Sequence, residues 1–301
     1  MKNIKMFSLL SLIALLLVVS SFGGLAELST SVNMNTTALK ELVINSENNL
    51  KSYSLNLSEN EDIKIVNSTS GNTTSRVNIQ TLGAGAINST SKSAKIVIAS
   101  LALPIGDVVD AATISAEVYY INDTLYSEVD GNWTAMKLAL PGAFGTNQDM
   151  MRQTALLLNA SAIRLVGIEA INGERYYVVE VSPQSSAVSS LFEQELGSTS
   201  SMIPQSIKNI SHLFNNTQLR YVLWINTTSY LPAQEFTITN ITTTPGMLGY
   251  PGGNSTEIYI NASITTRFSD LNRTINIVLP EAAKRAEMLP LNGSGMSVAI
   301  P

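Results

Sequence analysis

Val118-Tyr119-Tyr120-Ile121-Asn122-Asp123-Thr124-Leu125-Tyr126-Ser127-Glu128-Val129-Asp130-Gly131-Asn132-Trp133-Thr134 is the stretch that decides the fold class. β-Branched and aromatic residues run up to Asn122-Asp123, resume at Leu125, and run again from Trp133 after Asp130-Gly131. Such runs, bounded by turn dipeptides that tolerate positive φ, are the signature of strands joined by tight hairpins. Strands over 114–121, 125–129 and 133–138 follow. The same grammar places a hairpin of 162–170 and 174–182 around Asn172-Gly173.

Working outward, period-two alternation continues in both directions. Upstream it marks Tyr53, Leu55 and Leu57, then Ile63 and Ile65, then Val77 and Ile79, then Ile96-Val97-Ile98. Downstream it marks 219–225, 235–241, 257–268 and 274–279. Within 257–268, Ile258, Ile260, Ala262 and Ile264 share one face, and Tyr259, Asn261, Ser263 and Thr265 share the other. Helical spacing appears over 36–50, behind Thr36 and Thr37 as cap candidates, and over 147–158 and 187–214. A short last helix is expected over 281–288. About eleven strands with helical insertions and no long linker give a single antiparallel α+β domain.

The N-terminus carries Lys2 and Lys5, an apolar run from Phe7 to Val19, and then Gly24-Leu25-Ala26. That is the grammar of an export signal cut after Ala26. The competing reading is an uncleaved anchor, because 7–25 approaches the roughly 20 residues that span a bilayer. The expected division is a signal segment at 1–26, one domain at 27–289 and a C-terminal tail at 290–301. The chain has no cysteine, so neither a disulfide nor a thiol-linked lipid can form. Removing 1–26 leaves 16 basic and 23 acidic residues (18 − 2 and 23 − 0), and no basic stripe is present. Nucleic acid is excluded as a partner on that ground, since its binding needs clustered cations.

Asn-x-Ser/Thr triplets are the strongest compositional signal. The chain has 27 Asn and 62 Ser or Thr, which by chance would give about 5.6 acceptor triplets. It has 16, at Asn35, Asn56, Asn67, Asn72, Asn88, Asn122, Asn132, Asn159, Asn209, Asn215, Asn226, Asn240, Asn254, Asn261, Asn272 and Asn292. Glycan attachment would supply the hydration that 14% charged residues do not. The plainer reading is that Asn and Thr cluster in turns. A glycosylated extracellular or cell-surface protein is the expectation, and an archaeal envelope suits a cysteine-free chain so dense in these triplets.

Catalytic chemistry finds few parts. One histidine, His212, and no cysteine leave too little for the common zinc sites or nucleophile triads. Gly83-Ala84-Gly85-Ala86 lacks the rest of a nucleotide loop. Gly293-Ser294-Gly295 lacks the frame of a nucleophile elbow. Glu59, Glu61 and Asp62 are expected in a solvated turn, and Glu193 and Glu195 on different faces of a helix. No catalytic residue, metal or cofactor is expected. A carboxylate-dependent hydrolase is the remaining enzymatic alternative.

The order of elements resembles a family. A first helix runs into Lys51-Ser52-Tyr53-Ser54-Leu55. The meander quoted above follows, then Glu169-Ala170-Ile171-Asn172-Gly173 leading to Tyr176 and Tyr177. Leu223-Trp224-Ile225-Asn226 leads to Tyr230-Leu231-Pro232, and Phe268-Ser269-Asp270-Leu271-Asn272 leads to Ile277-Val278-Leu279-Pro280. This resembles the LolA/LppX/LprG lipoprotein-carrier superfamily, above all its archaeal surface members, over residues 36–285. The resemblance implies a strongly curved antiparallel half-barrel covered by helices around an apolar cavity, and a lipid or other hydrophobic ligand. The anchoring cysteine of many members is absent. From strand parity the candidate lining residues are Val118, Tyr120, Trp133, Val222, Trp224, Phe236, Ile238, Ile258 and Ile260. The alternative is a structural or interaction glycoprotein of the envelope with no small-molecule ligand.

Overall fold

The computed structural model describes residues 34–105, 111–129, 131–137, 150–159, 161–183, 217–245 and 255–289. In chain order these form α1 (Thr36–Asn48), β1 (Ser52–Asn67), β2 (Thr73–Asn88), β3 (Ser93–Pro104), β4 (Ala112–Ile121), β5 (Thr124–Val129) and β6 (Asn132–Lys137). Then follow α2 (Met150–Asn159), β7 (Ser161–Ile171), β8 (Glu174–Pro183), β9 (Thr217–Asn226), β10 (Pro232–Thr243), β11 (Thr256–Ser269) and β12 (Glu287–Met288). All twelve strands join one sheet in the order β12-β6-β5-β4-β3-β2-β1-β11-β10-β9-β8-β7. Each strand pairs antiparallel with its neighbours except β12, which lies parallel to β6.

Antiparallel pairing with short turns makes the sheet in two runs. β1 to β6 is a meander closed by hairpins, and the second run, β7 to β11, returns so that β11 lies against β1. The hairpin dipeptides behave as their chemistry requires. Asn122 and Asp123 take φ of 51° and 58°, and Asn172 and Gly173 take 53° and 84°. Positive φ at both central residues is the I′ geometry, whose twist matches that of the flanking strands.

Two glycines in β2 serve close approach. A Cβ on Gly83 would stand 3.3 Å from the Leu57 side chain. One on Gly85 would stand 3.1 Å from the Lys95 carbonyl oxygen and 3.2 Å from Leu55. Their small size lets the leucines of β1 lie against the neighbouring backbone.

Several expectations are corrected. The sheet has twelve strands and is open. Helices do not cover it among the described residues: α1 packs on α2, and the pair sits over the β7–β8 end. The helical insertion expected over 187–214 lies outside the described residues. α1 is capped by Asn35, whose side chain accepts from the Thr37 and Ala38 amides, and not by Thr36 or Thr37. Residues 274–279 form no strand, and 281–288 forms a single 3-10 turn (Ala283–Arg285) followed by β12. Residues 1–33 and 290–301 lie outside the described residues. No described helix is long and apolar enough to cross a membrane.

Candidate functional site

The two faces of the sheet follow from register, because residues directly opposite in a ladder share a face and successive residues alternate. One row runs Val77, Ile63, Ile260, Ile241; another runs Ile79, Glu61, Ala262, Thr239. This face, the inner one, holds a continuous apolar cluster that includes Leu55, Leu57, Ile63, Val77, Ile79, Ile87, Tyr120, Met136, Ile258, Ile260, Ile264 and Phe268. Tyr53 meets Phe268 edge to face at 5.7 Å. A second inner cluster (Val179, Val181, Tyr221, Leu223 and Ile225) packs under Leu39 and Val43 of α1 and Leu158 of α2.

Between the apolar parts of the inner face runs a polar band. Its rows are Ser100, Thr81, Glu59, Ile264, Thr237, Tyr221 and, one step along, Leu57, Thr266, Glu235, Leu223. Glu61 and Glu235 are 0% exposed, Glu59 3%, and Thr237 and Thr266 0%. At one end Thr154 of α2 donates to Glu235 at 2.5 Å and lies 3.2 Å from the Tyr221 hydroxyl. At the other, Thr81 and Ser100 share a hydrogen bond of 2.9 Å. The middle is different: both oxygens of Glu59 and of Glu61, and the hydroxyls of Thr237 and Thr266, have no hydrogen-bond partner. Thr81 acts on Glu59 closely enough to oppose its shift, yet meets neither oxygen in hydrogen-bond geometry.

Burial sets the protonation of the band. Desolvation pushes Glu61 up to about 8, helped by the neighbouring Glu59 charge. Desolvation also pushes Glu59 up to about 7, and Glu235 to about 7 against the bonds from Thr154 and Tyr221. Tyr221 is driven well above its ordinary value, first by desolvation and next by the Glu235 charge. The expected solvated turn at Glu59-Glu61-Asp62 is thereby corrected. Those residues lie mid-strand in β1, with both glutamates inward and Asp62 outward against Arg76 at 2.8 Å.

The nine candidate lining residues do not share a face. Val118, Tyr120, Ile258 and Ile260 lie on the inner face, in register with Ile96, Ala94, Ile65 and Ile63 respectively. Trp133, Val222, Trp224, Phe236 and Ile238 lie on the outer face. For Val222 and Trp224 the reason is that β9 is buried on both sides, Tyr221 through Ile225, so its parity carries no direction. On the outer face Val222 and Trp224 cluster with Tyr176 and Val178, and the Trp224 indole donates to Glu169 at 2.7 Å. Trp133 stacks obliquely on Tyr119 at 5.9 Å, beneath Lys95.

A depression of about 460 Å³ crosses β1–β4. It is lined mainly by outer-face residues: Ser58, Asn60, Gln80, Leu82, Ala99, Leu101 and Thr113. Glu59, Thr81 and Ser100 of the band complete its lining.

None of the described triplet asparagines is buried. Asn35, Asn56, Asn72, Asn122, Asn132, Asn159, Asn261 and Asn272 are exposed, and Asn67, Asn88, Asn226 and Asn240 are half-buried. Asn240 and Asn261 face each other across β10 and β11 on the outer face. At four sites the asparagine Oδ1 accepts from the backbone amide of the Thr two residues on: Thr37, Thr69, Thr90 and Thr228. These are Asx turns. Asn209, Asn215, Asn254 and Asn292 lie outside the described residues, as do His212, Glu193 and Glu195. Among the described residues no group of three or more His, Asp or Glu side chains could hold a metal ion.

Residues 35–288 match the model of DUF6612, a family of unknown function. The chain belongs to that family. No curated protein sequence matches it significantly. Among solved structures it is similar to LprF from Mycobacterium bovis, at 13% identity and a TM-score of 0.40, over 81% of this chain and 96% of that one. It is similar to the lipoprotein LppX of Mycobacterium tuberculosis, at 11% identity and a TM-score of 0.37, over 81% and 98%. A putative outer membrane lipoprotein-sorting protein domain from Vibrio parahaemolyticus matches at 10% identity and 0.22, over 83% and 98%.

Proposed function

Starting from membership of a family whose function is unknown, we propose that this is an exported, N-glycosylated envelope protein that binds a hydrophobic or lipid ligand. The ligand would lie against the inner face, with the open sheet curling around it as a half-barrel. One observation carries the ligand half: a buried apolar cluster that reaches from β6 to β10 on one side of an open sheet. The two described helices sit over one end of that sheet. Burying a methylene contributes roughly 0.8 kcal/mol, so a chain of about 14 carbons would gain on the order of 11 kcal/mol before costs. No catalytic constellation is needed for that, and the reading assigns the protein no reaction.

Export is supported by Lys2, Lys5 and the apolar run after them, and a mature or tethered form would both place the domain outside the cell. Glycan attachment is supported by exposure: eight of the twelve described triplet asparagines are exposed and none is buried. An archaeal surface is the host that fits a chain with this density and no cysteine. Extraction of the protein purified from its host, followed by mass spectrometry of the organic phase, tests the ligand. A recurring stoichiometric lipid is expected, and repeated recovery of none would sink the reading in favour of an envelope glycoprotein without a small ligand. Intact mass of the same preparation tests the glycans, since the bare polypeptide mass would exclude them.

A further inference from the structure

The polar band of the inner face has more acceptors than donors. Glu59 and Glu61 lie two residues apart on β1, Thr266 is one diagonal step from Glu59, and Thr237 is one diagonal step from Thr266. The four residues make a contiguous patch at mid-sheet. All are at least nine-tenths buried, and no side-chain oxygen among them has a partner. A buried carboxylate without a donor is costly, and an unpartnered hydroxyl beside it can accept as well as donate, so four such side chains on one patch ask for a partner from elsewhere.

No described cation of the flanking strands reaches it. Among the described residues of β1–β3 and β9–β11, Lys64, Arg76, Lys95, Arg220 and Arg267 all lie on the outer face. Among the described residues no third carboxylate or histidine joins the two glutamates as a metal-ligand group. What fits two carboxylates flanked by hydroxyl acceptors is a positively charged group with several N–H donors.

We propose that the patch of Glu59, Glu61, Thr237 and Thr266 receives the primary ammonium end of an amphiphile, with its apolar body along the isoleucines of β1 and β11. This deepens the ligand reading above and rests on it. The ammonium supplies one counter-charge, so one of the two glutamates binds it ionised while the other keeps its proton. The raised proton affinity of Glu59 and Glu61 in the empty protein is the other side of that relation. Selectivity then lies in head-group charge, while the apolar body supplies affinity.

The test is calorimetric titration of the full chain at pH 7.5 with dodecylamine and dodecanoate below their micelle concentrations and dodecanol below its solubility limit. Dodecylamine is expected to bind about tenfold tighter than dodecanol, and dodecanoate more weakly than either. In Glu61→Gln the amine-to-alcohol ratio should fall below about threefold. Thr237→Val, close to isosteric, should cost about two- to fivefold in dodecylamine binding alone and serves if the glutamate variants fail to fold. Equal binding of amine and alcohol, preference for dodecanoate, or a ratio that survives in Glu59→Gln/Glu61→Gln would overturn the head-group assignment and leave the ligand reading standing. Failure of all three probes to bind would remove both.

Discussion

The same residue type, glutamate, sits on both faces of one sheet under opposite physics. On the outer face Glu117 lies 2.7 Å from Lys95, and Glu180 is bridged by Arg164 and by Arg220 at 3.2 Å. Both are held below the ordinary carboxylate range, Glu180 chiefly by the Arg164 bond and Glu117 by Lys95 and Tyr119 against its own desolvation. On the inner face Glu59, Glu61 and Glu235 have no cation among the described residues and are pushed the other way by burial. The difference teaches which face is finished. The outer face satisfies its own charges, whereas the inner face leaves them to the proton or to something that binds.

The largest expected effect follows from that contrast. A carboxyl whose folded value is raised is protonated in both states below about pH 4.5, and costs nothing there. Between 4.5 and about 8 the folded protein keeps protons that the unfolded chain releases, so stability falls as pH rises. Glu117 and Glu180 have the opposite sign, contributing stability above the unfolded value that is lost as acid protonates them. Stability should therefore peak near pH 5 and fall towards pH 8, by on the order of 5 kcal/mol from Glu61 alone, with Glu59 and Glu235 adding in the same direction. Glu61→Gln should remove much of the alkaline slope. Denaturant melts at pH 5, 6.5 and 8 measure this, and a flat profile would break the distinction between the faces.

The apolar part of the inner face gives the next effect. Ile260 is 2% exposed and Ile63, beside it in the ladder, 1%. Ile260→Ala should cost about 3 kcal/mol, the usual scale for a buried isoleucine whose cavity does not collapse. An outer-face counterpart, Val97→Ala, at 38% exposure, should cost less than about 1 kcal/mol. Urea midpoints of the two variants compare the faces directly.

Gly85→Ala sharpens the comparison at a single backbone position. The new methyl would point to the inner face, 3.1 Å from the Lys95 oxygen and 3.2 Å from Leu55. About 1–3 kcal/mol is expected, the range for an overpacked core. Ala84→Ser, its neighbour on the exposed side, should change the midpoint by less than about 0.5 kcal/mol.

How much of this was legible in the sequence depends on whether local or paired information was needed. The hairpins at Asn122-Asp123 and Asn172-Gly173 were readable because φ preference belongs to the residues themselves. The inward set Ile258, Ile260, Ala262 and Ile264 was readable because one strand separates apolar from polar cleanly. The band was missed although its signal was present. Leu55, Leu57, Glu59, Glu61, Ile63 and Ile65 keep one parity without a break, which places both glutamates on the apolar side. Charge suggested a turn, and the strand was divided there. Glu235, Thr237 and Thr239 likewise share parity with the buried Ile241. Trp133 and Trp224 needed more than parity, since only the ladder with Glu128 and Val178 shows which side they occupy.

The smallest effect is expected where the outer face is most complete. Lys95 lies between Glu117 and the Tyr119 ring, 5.1 Å from its centroid. Its side chain is 39% exposed, so water and salt already screen most of the attraction. Lys95→Met keeps the apolar stem and removes the charge. It should cost under about 1 kcal/mol in low salt and less at high ionic strength. Glu117 would then titrate closer to the ordinary range, which NMR of the carboxyl carbon would register. It has solvent to ionise into, so losing its cation leaves it charged and hydrated, whereas Glu61, with neither cation nor solvent, holds its proton to about pH 8. A loss of several kcal/mol in Lys95→Met would mean that the outer pairs are as desolvated as the inner band. The two faces would then differ only in which charges happen to be paired.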